Sequence, residues 1–118
     1  MIASDELLHR IAEVLKAMAD PTRLKILHSL QGDERCVSDI LEIVGGSQAN
    51  VSKHLQLLLR AGLVRRRKDG LHSYYSIADP SVFPLCDLVC GSLSAHLSDQ
   101  LAAFEPPKPA AARPPAKR

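Results

Sequence analysis

The sequence predicts a mainly helical α+β domain, with five helices and one β-hairpin. Three observations carry this expectation. Leu, Ile, Val and Ala recur at three- and four-residue spacing along most of the chain. Gly-Gly, Gly and Asp-Pro punctuation cuts that pattern into segments. A single pair of β-rich runs flanks Asp69-Gly70, a tight-turn signal. Apolar residues make up 46% and aromatics only 3%, so the core must be aliphatic.

Asp5 and Glu6 open the first helix with charge that suits its N-terminus. Leu7, Leu8, Ile11, Val14, Leu15 and Met18 then form one apolar stripe. Asp20 can cap the second helix, and Pro21 fits its first position because no N–H is needed there. Leu24, Ile26, Leu27 and Leu30 carry that helix to a turn at Gln31-Gly32-Asp33. Cys36-Val37 reads as a short extended link, and Ser38 as the cap of a short third helix holding Ile40, Leu41, Ile43 and Val44. Gly45-Gly46 ends it.

Ser47 caps a fourth helix from about Gln48 to Ala61, with Val51, Leu55, Leu58 and Leu59 inward and Gly62 supplying a left-handed exit. Leu63 to Lys68 and His72 to Ile77 are the hairpin strands. Asp79-Pro80 repeats the capping logic for a last helix from about Ser81 to Phe104, in which Pro84 is tolerable only near the start. The domain is expected to span 1–104. Five prolines with Ala, Lys and Arg make 105–118 an expected disordered tail.

Composition excludes several classes. No apolar run approaches the roughly 18 residues that span a bilayer. The acidic start lacks the pattern of a signal peptide. Three cysteines at unrelated spacings argue against a secreted disulfide framework, so the chain reads as cytoplasmic, with no membrane partner. No nucleophile–base motif or phosphate-binding glycine loop supports an enzyme.

The net charge of +2 is unevenly laid out. Residues 1–44 carry eight acids against five bases, whereas 53–68 carry six bases (Lys53, Arg60, Arg65, Arg66, Arg67, Lys68) and no acid. A cationic stretch within a slightly acidic body implies a local anionic partner. The fourth helix offers Gln48, Asn50, Ser52, Lys53, His54 and Gln56 on its outward side, with Ser47 at its N-terminus and no carboxylate among them. Short amides and hydroxyls there suit base edges in the major groove, and the N-terminal amides suit a phosphate. The hairpin then carries Arg65, Arg66, Arg67, Lys68 and His72, of which strand alternation sends only some to any one partner. Two helices joined by a glycine turn and followed by a hairpin make a winged helix-turn-helix, a fold suited to double-stranded DNA. A constitutive DNA-binding or docking module without a ligand is the competing reading.

Met18-Ala-Asp-Pro-Thr-Arg-Leu-Lys-Ile-Leu27, Ser47-Gln-Ala-Asn-Val-Ser-Lys-His-Leu55, Leu59-Arg-Ala-Gly-Leu-Val64 and Asp69-Gly-Leu-His-Ser-Tyr-Tyr75 together resemble the ArsR/SmtB family of metal-responsive repressors over about Leu7 to Leu101. The resemblance implies a homodimer joined through the first and last helices, repression at a pseudo-palindromic operator and release by an inducer. The stripes of those two helices point independently to a partner, because so short a chain struggles to bury both.

Cysteine is the soft ligand available for an inducer. Cys86 and Cys90 are four apart on the last helix and could clamp arsenite or another soft metal ion. They equally fit that helix's apolar stripe as small hydrophobes. Glu34-Arg-Cys-Val-Ser-Asp-Ile40 resembles the family's arsenic-sensing segment, but only Cys36 matches a thiol position, with Ser38 and Leu41 at the others. Cys36 could join Cys86 and Cys90 if the fold brings them together. His96 and Asp99 match half of the family's zinc site on the last helix, and Val89 breaks the other half. Thiol oxidation or persulfidation is the alternative signal, and no obligatory cofactor is expected.

Overall fold

Short polar side chains close the first turns of three of the helices. In the computed structural model, which describes residues 4–104, Ser4 Oγ accepts from the Leu7 amide at the head of α1 (Asp5–Met18). Asp20 accepts from the Arg23 amide at the head of α2 (Pro21–Ser29), where Pro21 occupies the first turn as expected. The tail from Glu105 lies outside the described residues.

The short extended link expected at Cys36-Val37 is extended at Cys36, within a two-residue strand, while Val37 already opens the next helix. β1 (Arg35–Cys36) leads straight into α3 (Val37–Val44), with Cys36 at the capping position and no side-chain cap bond. Ser38 therefore does not cap α3. It lies inside the first turn, its Oγ 3.2 Å from Cys36 Sγ. Gly45 and Gly46, both at positive φ, end α3 and set up α4 (Gln48–Arg60), whose cap is Ser47 through the Asn50 amide. Gly62 follows at φ +80°, the left-handed exit that glycine takes without a Cβ penalty.

β2 (Val64–Asp69) and β3 (His72–Ile77) pair antiparallel from Val64↔Ile77 to Asp69↔His72. Asp69 is thus the last paired residue, and the two turn residues are Gly70 and Leu71, one position beyond the expected Asp69-Gly70. Gly70 carries the positive φ, and a two-residue loop of this kind takes glycine first. β1 joins the far side of β3 through Arg35↔Tyr75 and Cys36↔Tyr74, making a three-stranded sheet in the order β1-β3-β2.

The core is aliphatic. Ile26 and Leu27 of α2, Leu30 after it, Ile40 of α3, and Val51, Leu55 and Leu58 of α4 are all essentially inaccessible. Leu63, Val64 and Tyr75 close it from the sheet. Leu59, expected inward, is only half-buried. The chain divides into two units at Phe83/Pro84, the second consisting of the rest of α5 (Val82–Phe104). Pro84 falls in that helix's first turn, where its missing N–H costs nothing. Asp79 turns the chain into α5 by accepting from both the amide and the hydroxyl of Ser81, so α5 begins at Val82 rather than Ser81.

Among the described residues, two helices carry exposed apolar faces. On α1, Leu7, Leu8, Ile11 and Leu15 are each 44–50% exposed, and only Met18 of that stripe is buried. On α5, Leu88, Val89, Leu93, Leu97 and Leu101 are exposed by half or more. No described helix is long and apolar enough to cross a membrane.

Candidate nucleic-acid interface

α4 presents its polar side because Val51, Leu55 and Leu58 fix the opposite side in the core. Ser47, Gln48, Asn50, Lys53 and Gln56 are exposed, and Ser52 is half-buried. The helix carries no carboxylate, and Ser47 accepts from the Asn50 amide of its first turn. An uncapped set of amides beside hydroxyls and carboxamides suits an anionic, hydrogen-bonding surface.

His54 departs from that group. Its side chain is 13% exposed, its Nδ1 lies 3.0 Å from Arg23 Nη1, and its Nε2 lies 4.0 Å from Asp20 Oδ2. The expected outward placement is corrected. The sequence held the signal: His54 comes three residues after Val51 and four before Leu58, which sets it on the edge of the inward face. The Arg23 amide bond, helped by the Arg23 guanidinium, holds the Asp20 carboxyl below the usual carboxylate range.

In the hairpin, Arg65, Arg66, Lys68 and His72 are exposed. Arg67 is engaged within the chain. Its Nε and Nη2 donate to the two carboxylate oxygens of Glu34 at 3.0 and 2.8 Å, and its guanidinium carbon sits 4.8 Å from the Tyr74 ring centroid. A forked guanidinium–carboxylate pair of this geometry takes Arg67 out of the free cationic set. The same bonds hold the Glu34 carboxyl below its usual range. Register explains the pairing: Arg67 and Tyr74 are cross-strand partners, and Cys36 pairs with Tyr74 from the other side, which brings the β1 approach beside Arg67. Neither Glu34 nor Tyr74 was singled out from sequence, since nothing local marks Glu34 as lying near a residue 33 positions away.

The cysteines are all free thiols. Cys36 and Cys86 are half-buried and Cys90 is exposed. Cys86 and Cys90 lie one turn apart on α5, as their spacing required. Among the described residues no group of three or more His, Cys, Asp or Glu is placed to hold a metal ion within the chain. His96, where the family's zinc pattern is only half matched, has Nδ1 2.9 Å from the Ser92 carbonyl oxygen of its own helix.

The model of a bacterial regulatory protein family, arsR, matches residues 20–66, which run from the α2 cap into β2. The arsenical resistance operon repressor of Bacillus subtilis is 40% identical over 65% of this chain and 74% of its own length. A cadmium resistance transcriptional regulatory protein homologue of Staphylococcus aureus is 43% identical over 65% of this chain, a stretch spanning 64% of that regulator. Among solved structures, a homodimeric winged helix-turn-helix DNA-binding domain of Mycobacterium bovis matches with a TM-score of 0.69 and 38% identity, over 82% of this chain and 93% of that one.

Proposed function

The chain belongs to the ArsR family of bacterial regulatory proteins, and from that premise we propose that it is a homodimeric repressor that releases operator DNA when a thiophilic inducer binds its cysteines. The observation that carries the DNA-binding half is the exposed, carboxylate-free side of α4 at a serine-capped N-terminus. Placed in the major groove, Gln48 and Asn50 read base edges, while Ser47, Ser52, Lys53 and Gln56 reach bases or phosphate. Arg65, Arg66, Lys68 and His72 contact the backbone or the adjacent minor groove. A homodimer, the state described for the Mycobacterium bovis relative, covers the open faces of α1 and α5. Its two-fold axis sets two recognition helices about 34 Å, or a multiple of that, apart on a pseudo-palindrome.

The inducer half rests on Cys86 and Cys90, whose Cβ atoms at this helical spacing sit about 5–6 Å apart. That suits two thiolates on one soft ion better than a direct disulfide, which wants roughly 3.5–4.5 Å. Relatives named for cadmium and arsenical resistance agree with a soft ion. The test is a titration of trivalent arsenic, cadmium, lead and zinc into reduced protein on labelled operator DNA, repeated with Cys86→Ser/Cys90→Ser. Release by one soft ion, lost in the double variant, is expected. Release by an oxidant or persulfide alone transfers the reading to thiol modification. Indifference to every agent leaves a constitutive DNA-binding protein.

A further inference from the structure

Arg23 ties α1 and α4 to the head of α2. Its Nε donates to the Ala17 carbonyl at 2.6 Å and its Nη2 to the Lys16 carbonyl at 3.2 Å, both in the last turn of α1. Its Nη1 donates to His54 Nδ1 at 3.0 Å, in the second turn of α4. A guanidinium has donors and no acceptor, so Nδ1 must present its lone pair and the ring proton must sit on Nε2. Nε2 faces Asp20 Oδ2, whose carboxylate also accepts from the Arg23 amide.

We propose that Arg23 and His54 are positioning residues for DNA binding: their bond sets the pose of the recognition helix against α1 and α2, and it holds only while His54 Nδ1 is unprotonated, so that acid lowers operator affinity. The proposal rests on the DNA-binding reading of α4. Its second support is burial. His54 has little room to move, with its side chain 13% exposed beside the inaccessible Val51 and Leu58.

The direction follows from the groups facing the ring. On the α2 side these are the Arg23 guanidinium at 3.0 Å and the Asp20 carboxylate at 4.0 Å, while α1 contributes the carbonyls that anchor Arg23. A proton on Nδ1 turns an acceptor into a donor against an obligate donor, and it sets two cations in contact. With the ring confined, α4 shifts away and the Arg23 bond is lost. Protons gained elsewhere on the DNA-facing side strengthen phosphate attraction, so the proposed effect runs against the general electrostatic trend.

The experiment is fluorescence anisotropy of the full chain on operator DNA at fixed ionic strength, from about pH 8 to about pH 5.5. Wild-type affinity is expected to fall by about tenfold at the acid end, as for loss of one charge-assisted bond. His54→Ala is expected to bind weakly at every pH. His54→Gln retains a carboxamide oxygen for Arg23 and has no proton to gain. It is expected to restore affinity to within about threefold of wild type and to abolish the acid loss. Nitrogen-15 spectra of the native imidazole give a reading free of any folding defect, with the proton expected on Nε2. Wild-type affinity that rises or stays level in acid overturns the proposal. So does a His54→Gln variant that keeps the acid loss or changes base preference, the latter being the mark of a direct DNA contact. Absence of salt-dependent DNA binding at every pH overturns the DNA reading and this inference with it. Intact binding with a wrong pH profile overturns the inference alone.

Discussion

Arg67 stands in the middle of the basic run, yet its charge is spent on Glu34 and its flat face on Tyr74. Its neighbours Arg65, Arg66 and Lys68 keep theirs exposed. Replacing any of those three with Ala should lower the slope of log affinity against log salt by about one, the mark of a lost phosphate contact. Arg67→Ala should leave the slope nearly unchanged and speed hydrogen exchange of the β2 and β3 amides, because it removes the brace between hairpin and β1 approach. An equal slope change for all four would show that the ion pair gives way to DNA. The brace also has a pH signature. The Arg67 bonds hold Glu34 below its usual range, so a group depressed in the folded state adds stability above its unfolded value and loses it as pH falls through the folded one. Protection of the hairpin amides should therefore be level from neutral pH down to the ordinary carboxylate range, fall progressively from there, and level off once Glu34 is protonated in the folded state as well. A run of cations is plain in a sequence, but which member finds a carboxylate depends on a strand register that the run does not encode.

At the scale of elements, the helix heads were legible where the capping residue and the first apolar residue agree, as at Asp20-Pro21 and Ser47. They are hidden where another element intervenes. Ser38 has the chemistry of a cap, but pairing of Arg35 and Cys36 with β3 delivers the chain to α3 two residues too early for it. A two-residue strand has too little pattern to be read from residues alone. The hairpin turn moved by one because Asp69 and Gly70 are both turn formers, and only the pairing of Asp69 with His72 assigns glycine the first turn position. These placements give contrasting expectations. Ser47→Ala removes a cap bond at the groove-facing end of α4 and should cost about 1 kcal/mol, a melting shift of roughly 4–8 °C for a domain of this size, with a loss of operator affinity. Ser38→Ala should stay within about 0.5 kcal/mol. Thermal unfolding of the two variants side by side decides it, and a larger loss at Ser38 would restore that residue as the cap.

For the whole molecule, the sequence displayed the apolar stripes of α1 and α5 but could not say whether each is covered from within the chain. Leu7, Leu8, Ile11 and Leu15 remain about half exposed along one side of α1, and five aliphatic residues of α5 are exposed by half or more. Contiguous apolar faces of this kind mark association surfaces, and the 23 residues of α5 extend about 35 Å at 1.5 Å per residue, long enough for a seam of several turns. If those faces meet across a two-fold axis, a charge placed within one must both dissociate the dimer and separate the two recognition helices. Leu8→Glu and Leu97→Glu should each sediment as a monomer at micromolar concentration while wild type sediments as a dimer. Affinity for a two-half-site operator should then drop by at least about a hundredfold, because joint binding gains its strength from effective concentration. Affinity for an isolated half-site should change much less, since neither residue lies on α4 or the hairpin. A dimer that survives both substitutions would move the interface elsewhere, and a monomer with undiminished operator affinity would show that each chain reads its half-site alone.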